Sequence, residues 1–283
     1  MKPSTPRRNP VVARQGLRGS LSALLISSIL GIGTAAAADL RVGGTGGALA
    51  AMRTLGEEFS KSRPGTRVVV LPSLGSGGGI KAVLAGAIEV GVSSRPLKEG
   101  ERGAGAIETE YGRTPFVFAT AASRPDPGLG LKDLADIYAG RRDRWPDGTR
   151  IRLVLRPVGD SDSDMIKDMS PALREALGEA EKRKGTAFAV TDQDAADSLE
   201  KIPGALGPTT LAQILAEGRA LKALRLDGVE PSVDALASGR YTHHKRLFLV
   251  TTARSTPMAS EFVAFVKSAN GRAILARTGH WVK

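Results

Sequence analysis

The chain contains no cysteine in its 283 residues. Disulfides are therefore excluded as staples, and so is a lipid anchor attached through a thiol, which leaves an apolar core to hold the fold. Aromatic residues make up only 4% of the sequence, and the basic residues are scattered rather than gathered into a stripe, so nucleic acid is not an expected partner. With three histidines and no cysteine, clusters with metal-ligand spacing are missing, and no metal or other cofactor is expected. Long apolar runs are missing too. The run from Leu21 to Ile32 is interrupted by serines and a glycine and falls short of the roughly 20 residues of a membrane span.

What precedes and follows that run gives it another reading. Lys2, Arg7, Arg8, Arg14 and Arg18 stand before it without an acid, and Ala36-Ala37-Ala38 stands after it. This is the pattern of a secretory signal peptide, residues 1–38, with Asp39 as the mature start. Arg7-Arg8 lacks the hydrophobic residues that follow the pair in a twin-arginine signal, so the general secretion route is expected. An exported protein without a lipid anchor has to be retained by an outer membrane, which points to a Gram-negative periplasm. The formal charge is +11, and without the five basic residues of the signal it is +6, with 35 basic against 29 acidic residues. Such an excess draws in anions weakly and mostly describes a solvated surface. The length fits one large domain or two of medium size.

The mature chain is organised around Leu74-Gly75-Ser76-Gly77-Gly78-Gly79-Ile80-Lys81. Arg67 to Leu71 reads as a short strand, and Ile80, Val83, Leu84, Ala87 and Ile88 mark one face of a helix after the glycines. A strand-to-helix turn of this kind directs free backbone N–H groups out of the helix N-terminus, where they attract an anion. Ser76 adds a hydroxyl and is placed to cap the helix. Three enzymatic motifs fail on spacing. Ile80 separates Gly79 from Lys81 and Ala82 follows, which excludes a Walker loop; Ile80, or Leu49 for the earlier turn, fills the third glycine of a dinucleotide fingerprint; Leu74 replaces the first glycine of a nucleophile elbow. What remains is a site for a non-nucleotide anion, or a tight turn with nothing bound.

A second glycine turn, Gly43-Gly44-Thr45-Gly46-Gly47, joins a strand from Leu40 to a helix carrying Ala48, Met52, Leu55 and Phe59. Ile88 to Ser93 reads as a third strand, ending in Ser93-Ser94-Arg95-Pro96-Leu97. In a parallel α/β sheet these three loops open at the C-terminal edge of the strands, where ligands bind. Thr114 to Thr120 and Leu247 to Thr252 read as a pair of crossover strands. Arg150 to Leu155 is a strand running into Arg156-Pro157-Val158-Gly159-Asp160-Ser161-Asp162-Ser163-Asp164. Helical patterns follow at Met165 to Lys182 and Ala195 to Lys201, and Pro257 to Ala276 reads as one amphipathic helix.

Four of these stretches, Gly75-Ser76-Gly77-Gly78-Gly79, Ser93 to Leu97, Pro203-Gly204-Ala205-Leu206-Gly207 and Phe265 to Gly271, resemble the phosphate-specific periplasmic binding proteins of ABC importers. They come in the right order and span nearly all of the mature chain. The resemblance implies an α/β, two-lobed type II periplasmic-binding-protein fold with two crossover strands between the lobes. Lobe 1 would comprise 39–118 plus 248–283, and lobe 2 would comprise 119–247. It implies a monomeric, non-enzymatic protein that hands an inorganic oxyanion, phosphate, to an inner-membrane ABC permease. Carried over by position, Thr45 and Gly46 of the first turn, Ser76, Gly77 and Gly78 of the second, and Ser94 are the first-lobe contacts. Arg156 is the binding arginine, and Ser161, Asp162 and Ser163 fall on the family's second anion turn. A guanidinium fork with surrounding hydroxyls suits a tetrahedral oxyanion. Taken singly, Arg156 also fits a surface salt bridge and the serines ordinary turns.

Two departures stand out. Ser94 occupies the place of the family's usual aspartate, and Asp160 to Asp164 puts carboxylates where the family prefers glycine. An ionised carboxylate repels an anion unless it accepts a proton from it. Asp162 is therefore expected to take over the acceptor role; alternatively these acids cap the following helix and face solvent. Molybdate, tungstate or sulfate as ligand, a serine phosphoester hydrolase, and a ligand sensor of the same fold are the competing readings.

Overall fold

A computed structural model describes residues 38–282. The expected signal peptide, up to residue 37, lies outside the described residues. Among the described residues nine strands and eleven α-helices follow in mixed order. They are β1 (Ala38–Gly44), α1 (Leu49–Lys61), β2 (Thr66–Val70), α2 (Gly75–Leu84), β3 (Val90–Ser93), α3 (Glu99–Gly103), β4 (Ala106–Ala121), α4 (Leu131–Tyr138), β5 (Arg152–Leu155), α5 (Ser161–Met169), α6 (Pro171–Lys182), β6 (Ala187–Phe188), α7 (Asp192–Lys201), β7 (Ala205–Thr210), α8 (Leu211–Glu217), β8 (Leu221–Ala223), α9 (Val233–Ala237), β9 (His244–Thr252), α10 (Pro257–Lys267) and α11 (Ala269–Arg277).

The strand order is β2-β1-β3-β9-β4-β7-β5-β6, with β8 paired to β4. β2, β1 and β3 are parallel, as the β-turn-α units of the sequence require, and β5 is parallel to both β7 and β6. Between these parallel groups run β9 and β4, antiparallel to each other. The 16 residues of β4 serve both: its first part pairs β9, and its later part pairs β7 and β8. The cores divide in the same way. Leu40, Met52, Phe59, Leu249 and Phe262 cluster with Tyr111 of β4, whereas Phe116 and Phe118 of β4 cluster with Tyr138, Leu155, Ile166 and Leu177. This is a two-lobed α/β fold of the type II periplasmic-binding class with two crossover strands.

Several elements differ from the sequence reading for local reasons. α2 stops at Leu84 because Gly86 turns the backbone at φ +70°, so Ala87 and Ile88 lie in the approach to β3. The helical pattern from Met165 to Lys182 is two helices, since Pro171 cannot donate and Ser170, extended at φ −163°, caps α6 through the Leu173 N–H. The stretch from Pro257 to Ala276 likewise breaks at Ser268, whose hydroxyl accepts from the Gly271 N–H. β4 starts at Ala106, well before Thr114, because a bulge between Glu110 and Gly112 shifts the register and hides the alternation.

Candidate functional site

The site is built where strands end and helices begin. Gly79, in α2, lets that helix lie against the end of β1: a Cβ there would sit 2.7 Å from Gly44 Cα and 2.9 Å from the Gly43 carbonyl oxygen. The first turn of α2, including Gly77 and Gly78, is thereby fixed beside the end of β3. Leu74 precedes the helix without any side-chain cap, so the N–H groups of Gly75, Ser76 and Gly77 have neither an intrahelical acceptor nor a capping side chain. Ser76 is therefore not the cap expected of it. Its buried hydroxyl instead accepts from the Ser94 N–H at 3.0 Å and meets the Ser94 hydroxyl at 3.1 Å.

Ser94 is the junction of the site. The Thr45 hydroxyl reaches it at 3.4 Å, and on its far side the Ser161 hydroxyl lies 3.0 Å away. Ser161 opens α5, for which Asp160 is the N-cap, accepting from the Asp162 N–H at 3.0 Å. Lys245, on β9 and only 4% exposed, donates to Ser161 Oγ at 3.3 Å and makes a short ion pair with Asp162. Burial pushes the Lys245 ammonium down to about 8, although the Asp160 carboxylate works against that shift.

Arg156 closes the cluster. It is 3% exposed, with Nη1 donating to the Ala189 carbonyl at 2.7 Å and with Nε and Nη2 at 3.3 and 3.2 Å from the Asp160 carboxylate. Asp162 Oδ2 and Asp192 Oδ1 each lie 3.8 Å from its guanidinium. The Asp192 carboxylate also faces the first glycine turn, where a Cβ on Gly46 would lie 2.7 Å from its Oδ2, and its burial raises its pKa despite Arg156. The surface salt bridge weighed for Arg156 is thus excluded by its burial. Two cations, Arg156 and Lys245, face three carboxylates, those of Asp160, Asp162 and Asp192.

Thr45, Ser76, Ser94, Arg156, Ser161 and Asp162 thus form one connected set of side chains. Gly77 and Gly78 border it in the first turn of α2, and Gly46 is turned to Asp192 and to Gln193, which donates to its carbonyl at 3.0 Å. Ser163 is brought alongside, but its hydroxyl donates to the Arg156 carbonyl at 3.1 Å and braces the arginine's backbone. The acid run divides: Asp160 caps the helix, Asp162 is buried on Lys245, and Asp164 is exposed. Sequence reasoning missed Lys245 and Asp192. Lys245 was within reach, because it shares the inward face of β9 with Leu247 and Leu249 while Arg246 points outward. Asp192 opens a helix with no motif around it. The Ser76 hydroxyl touches Ser94 and no imidazole, and among the described residues no cluster of histidines and acids fits a metal ion.

A family model for the PBP superfamily domain matches residues 32–270. The phosphate-binding protein PstS of Bacillus subtilis is 26% identical over 244 residues, covering 82% of this chain and 76% of that protein. A phosphate ABC transporter substrate-binding protein from Clostridium perfringens, solved with bound phosphate, superposes with a TM-score of 0.74 at 22% identity, covering 87% of this chain and 99% of the other. An ABC-type phosphate transport receptor from Vibrio cholerae gives 0.63 at 17% identity, with 86% and 100% covered. These relatives are named as binding proteins, not as enzymes. The chain belongs to the PBP superfamily.

Proposed function

We propose that this PBP-superfamily chain is a periplasmic solute-binding protein that captures inorganic phosphate and delivers it to an inner-membrane ABC permease. The observation that carries this reading is the convergence of Ser76, Ser94, Ser161 and Arg156, drawn from three separate segments, into one largely buried hydroxyl-and-guanidinium cluster beside the uncapped start of α2. These are donors suited to a tetrahedral oxyanion: a planar cation for its charge, with hydroxyls and backbone N–H groups for its remaining oxygens. The names of the relatives in Bacillus subtilis and Clostridium perfringens support phosphate as that oxyanion.

The charge balance favours a ligand that brings a proton. With all groups ionised, three carboxylates outnumber two cations, so a fully ionised divalent anion enters against net repulsion. Phosphate carrying a proton can donate it to Asp162, whereas sulfate at neutral pH has none to give. Lobe 1 (39–118 plus 248–283) and lobe 2 (119–247) close over the ligand. Contacts from Ser76 and Ser94 on one side and Arg156 and Ser161 on the other favour the closed form that a permease recognises.

The test is calorimetric titration of residues 39–283, stripped of carried-over phosphate, with sulfate, molybdate and tungstate as competitors. Phosphate-selective binding that is lost in Arg156→Ala is the expected result. Binding of none of these oxyanions would overturn the reading, and tight binding of molybdate or tungstate in preference to phosphate would reassign the ligand.

A further inference from the structure

Ser94, Ser161 and Lys245 have a second side. Besides joining the buried cluster, they form the floor of an open cleft of about 420 Å³. That volume lies within the roughly 300–1,000 Å³ of small-molecule pockets and far exceeds what a bare tetrahedral anion occupies. The cleft has three walls. One is Arg95-Pro96, directly after Ser94; another is the chain entering β9, from Thr242 to Arg246; the third is the face of α5. On α5, Met165 and Met169 follow Ser161 at intervals of four, so all three side chains project from one helical stripe into the cleft.

The chemistry is graded from floor to mouth. The floor offers hydrogen-bond donors, two hydroxyls and one ammonium, all linked to one another at 3.0 to 3.3 Å. The α5 wall offers the Met165 and Met169 thioethers, which adapt to an irregular apolar or mixed surface, with the Asp164 and Asp168 carboxylates beside them. The opposite wall adds the exposed Thr242 hydroxyl and the His243 and His244 rings, which offer hydrogen bonds to a polar substituent. The two arginines at the rim are not free for a second anion: Arg95 is held by Glu101 and Arg246 by Glu110, each through charged hydrogen bonds. With both rim arginines paired and Asp164 and Asp168 on the α5 wall, the cleft disfavours a second anion and is suited to a neutral, hydrogen-bonding group, with the ligand's negative charge confined to its buried end.

We infer that the site also takes phosphate monoesters, whose phosphoryl group occupies the Arg156, Ser76, Ser94 and Ser161 cluster while the 3.0 Å Ser94–Ser161 hydrogen bond gives way to the ester oxygen and the organic substituent passes into the cleft along α5. The ester oxygen carries no proton and needs a donor or a neutral neighbour, and the hydroxyls of Ser94 and Ser161 supply that at the boundary. This inference rests on the anion-site reading proposed above. It differs from that reading in predicting that the side of the site toward Met165 and Met169 is open to a substituent rather than sealed.

The test is a competition titration of the full mature chain with inorganic phosphate and with glycerol 3-phosphate, glycerol serving as control. Wild type is expected to bind both phosphates and to ignore glycerol. Met169→Trp, which fills the cleft away from the donors, is expected to weaken glycerol 3-phosphate at least tenfold while inorganic phosphate stays within about twofold. Thr242→Trp, at an exposed position on the opposite wall, provides the same readout should the Met169 variant fold poorly. Binding of inorganic phosphate without any binding of glycerol 3-phosphate overturns this inference and leaves the phosphate reading standing. Equal responses of both ligands to the cleft-filling variants overturn it as well. Binding of neither by wild type brings down the two readings together.

Discussion

The two glycine turns look alike in sequence and end differently in structure. Each follows a parallel strand and opens a helix, and each would be described as an anion-binding turn. In the first, an anion already faces the turn, the carboxylate of Asp192 delivered from α7. A Cβ on Gly46 would lie 2.7 Å from that carboxylate, so the glycine is there to admit it. In the second, no side chain caps α2, and the neighbours are hydroxyls. A glycine-rich turn therefore states that an anion can approach; what else reaches the turn decides whether it is the chain's own or a ligand's.

Arg156 lies between the two arrangements, within 3.8 Å of Asp192 on one side and of Asp162 on the other. The largest effect is expected from Arg156→Met. It leaves the buried Asp162 and Asp192 and the half-buried Asp160 with one cation, which should cost about 3–5 kcal/mol in chemical denaturation and abolish measurable phosphate binding. If stability and affinity both stayed near wild type, the guanidinium would not be what ties the two regions together.

Gly79→Ala tests how the second turn is positioned. The added methyl would meet the backbone of Gly43 and Gly44, which cannot swing aside, and the expected loss is about 1–3 kcal/mol by urea unfolding. A neutral outcome would mean that α2 is free to move off β1.

Asp192→Asn sharpens the contrast through pH. Burial raises the Asp192 pKa, so the folded state binds a proton more readily than the unfolded chain. Its contribution is stabilising below the ordinary carboxyl range and is lost as pH rises through the raised folded value. The variant should therefore gain on wild type as pH rises above the ordinary carboxyl range. His280 works in the opposite sense. It is fully buried, its pKa is pushed down to about 4, and its contribution falls away as pH drops from about 6.5. Because His280 is common to both proteins, the difference between their Tm–pH curves isolates Asp192; parallel curves would contradict the buried, raised carboxyl.

The smallest effect belongs to Gly77→Ala. A Cβ at Gly77 meets nothing nearer than Arg95 Nη2 at 3.9 Å, and the position is helical, so thermal unfolding should show a gain of about 0.5–1 kcal/mol. A loss instead would mean that the first turn of α2 is under constraint.

These contrasts also mark what the sequence could tell. The strand-turn-helix units, the parallel order of β1, β2 and β3 and the residues at their loop tips were legible, because local periodicity and glycine placement determine them. Thr45, Ser76, Ser94, Arg156 and Ser161 were placed on those loop tips by the family resemblance, and the structure brings them into one cluster. The fate of their polar groups was not legible: that Asp192 fills the first turn, that Lys245 pairs with Asp162, and that Ser163 braces Arg156 depend on contacts between residues 7 to about 145 positions apart. The helix breaks at Ser170 and Ser268 were missed for a simpler reason, since an apolar period of 3.6 continues across a cap that interrupts the backbone.

The most direct test is a crystal structure of the mature chain grown with phosphate. Phosphate should lie between Ser76 and Ser94 on one side and Arg156 and Ser161 on the other, at the start of α2, with Asp192 still facing Gly46 and Gly47. Phosphate at the Gly46 turn in place of Asp192, or away from Arg156 with the Ser94–Ser161 hydrogen bond intact, would contradict the assignment.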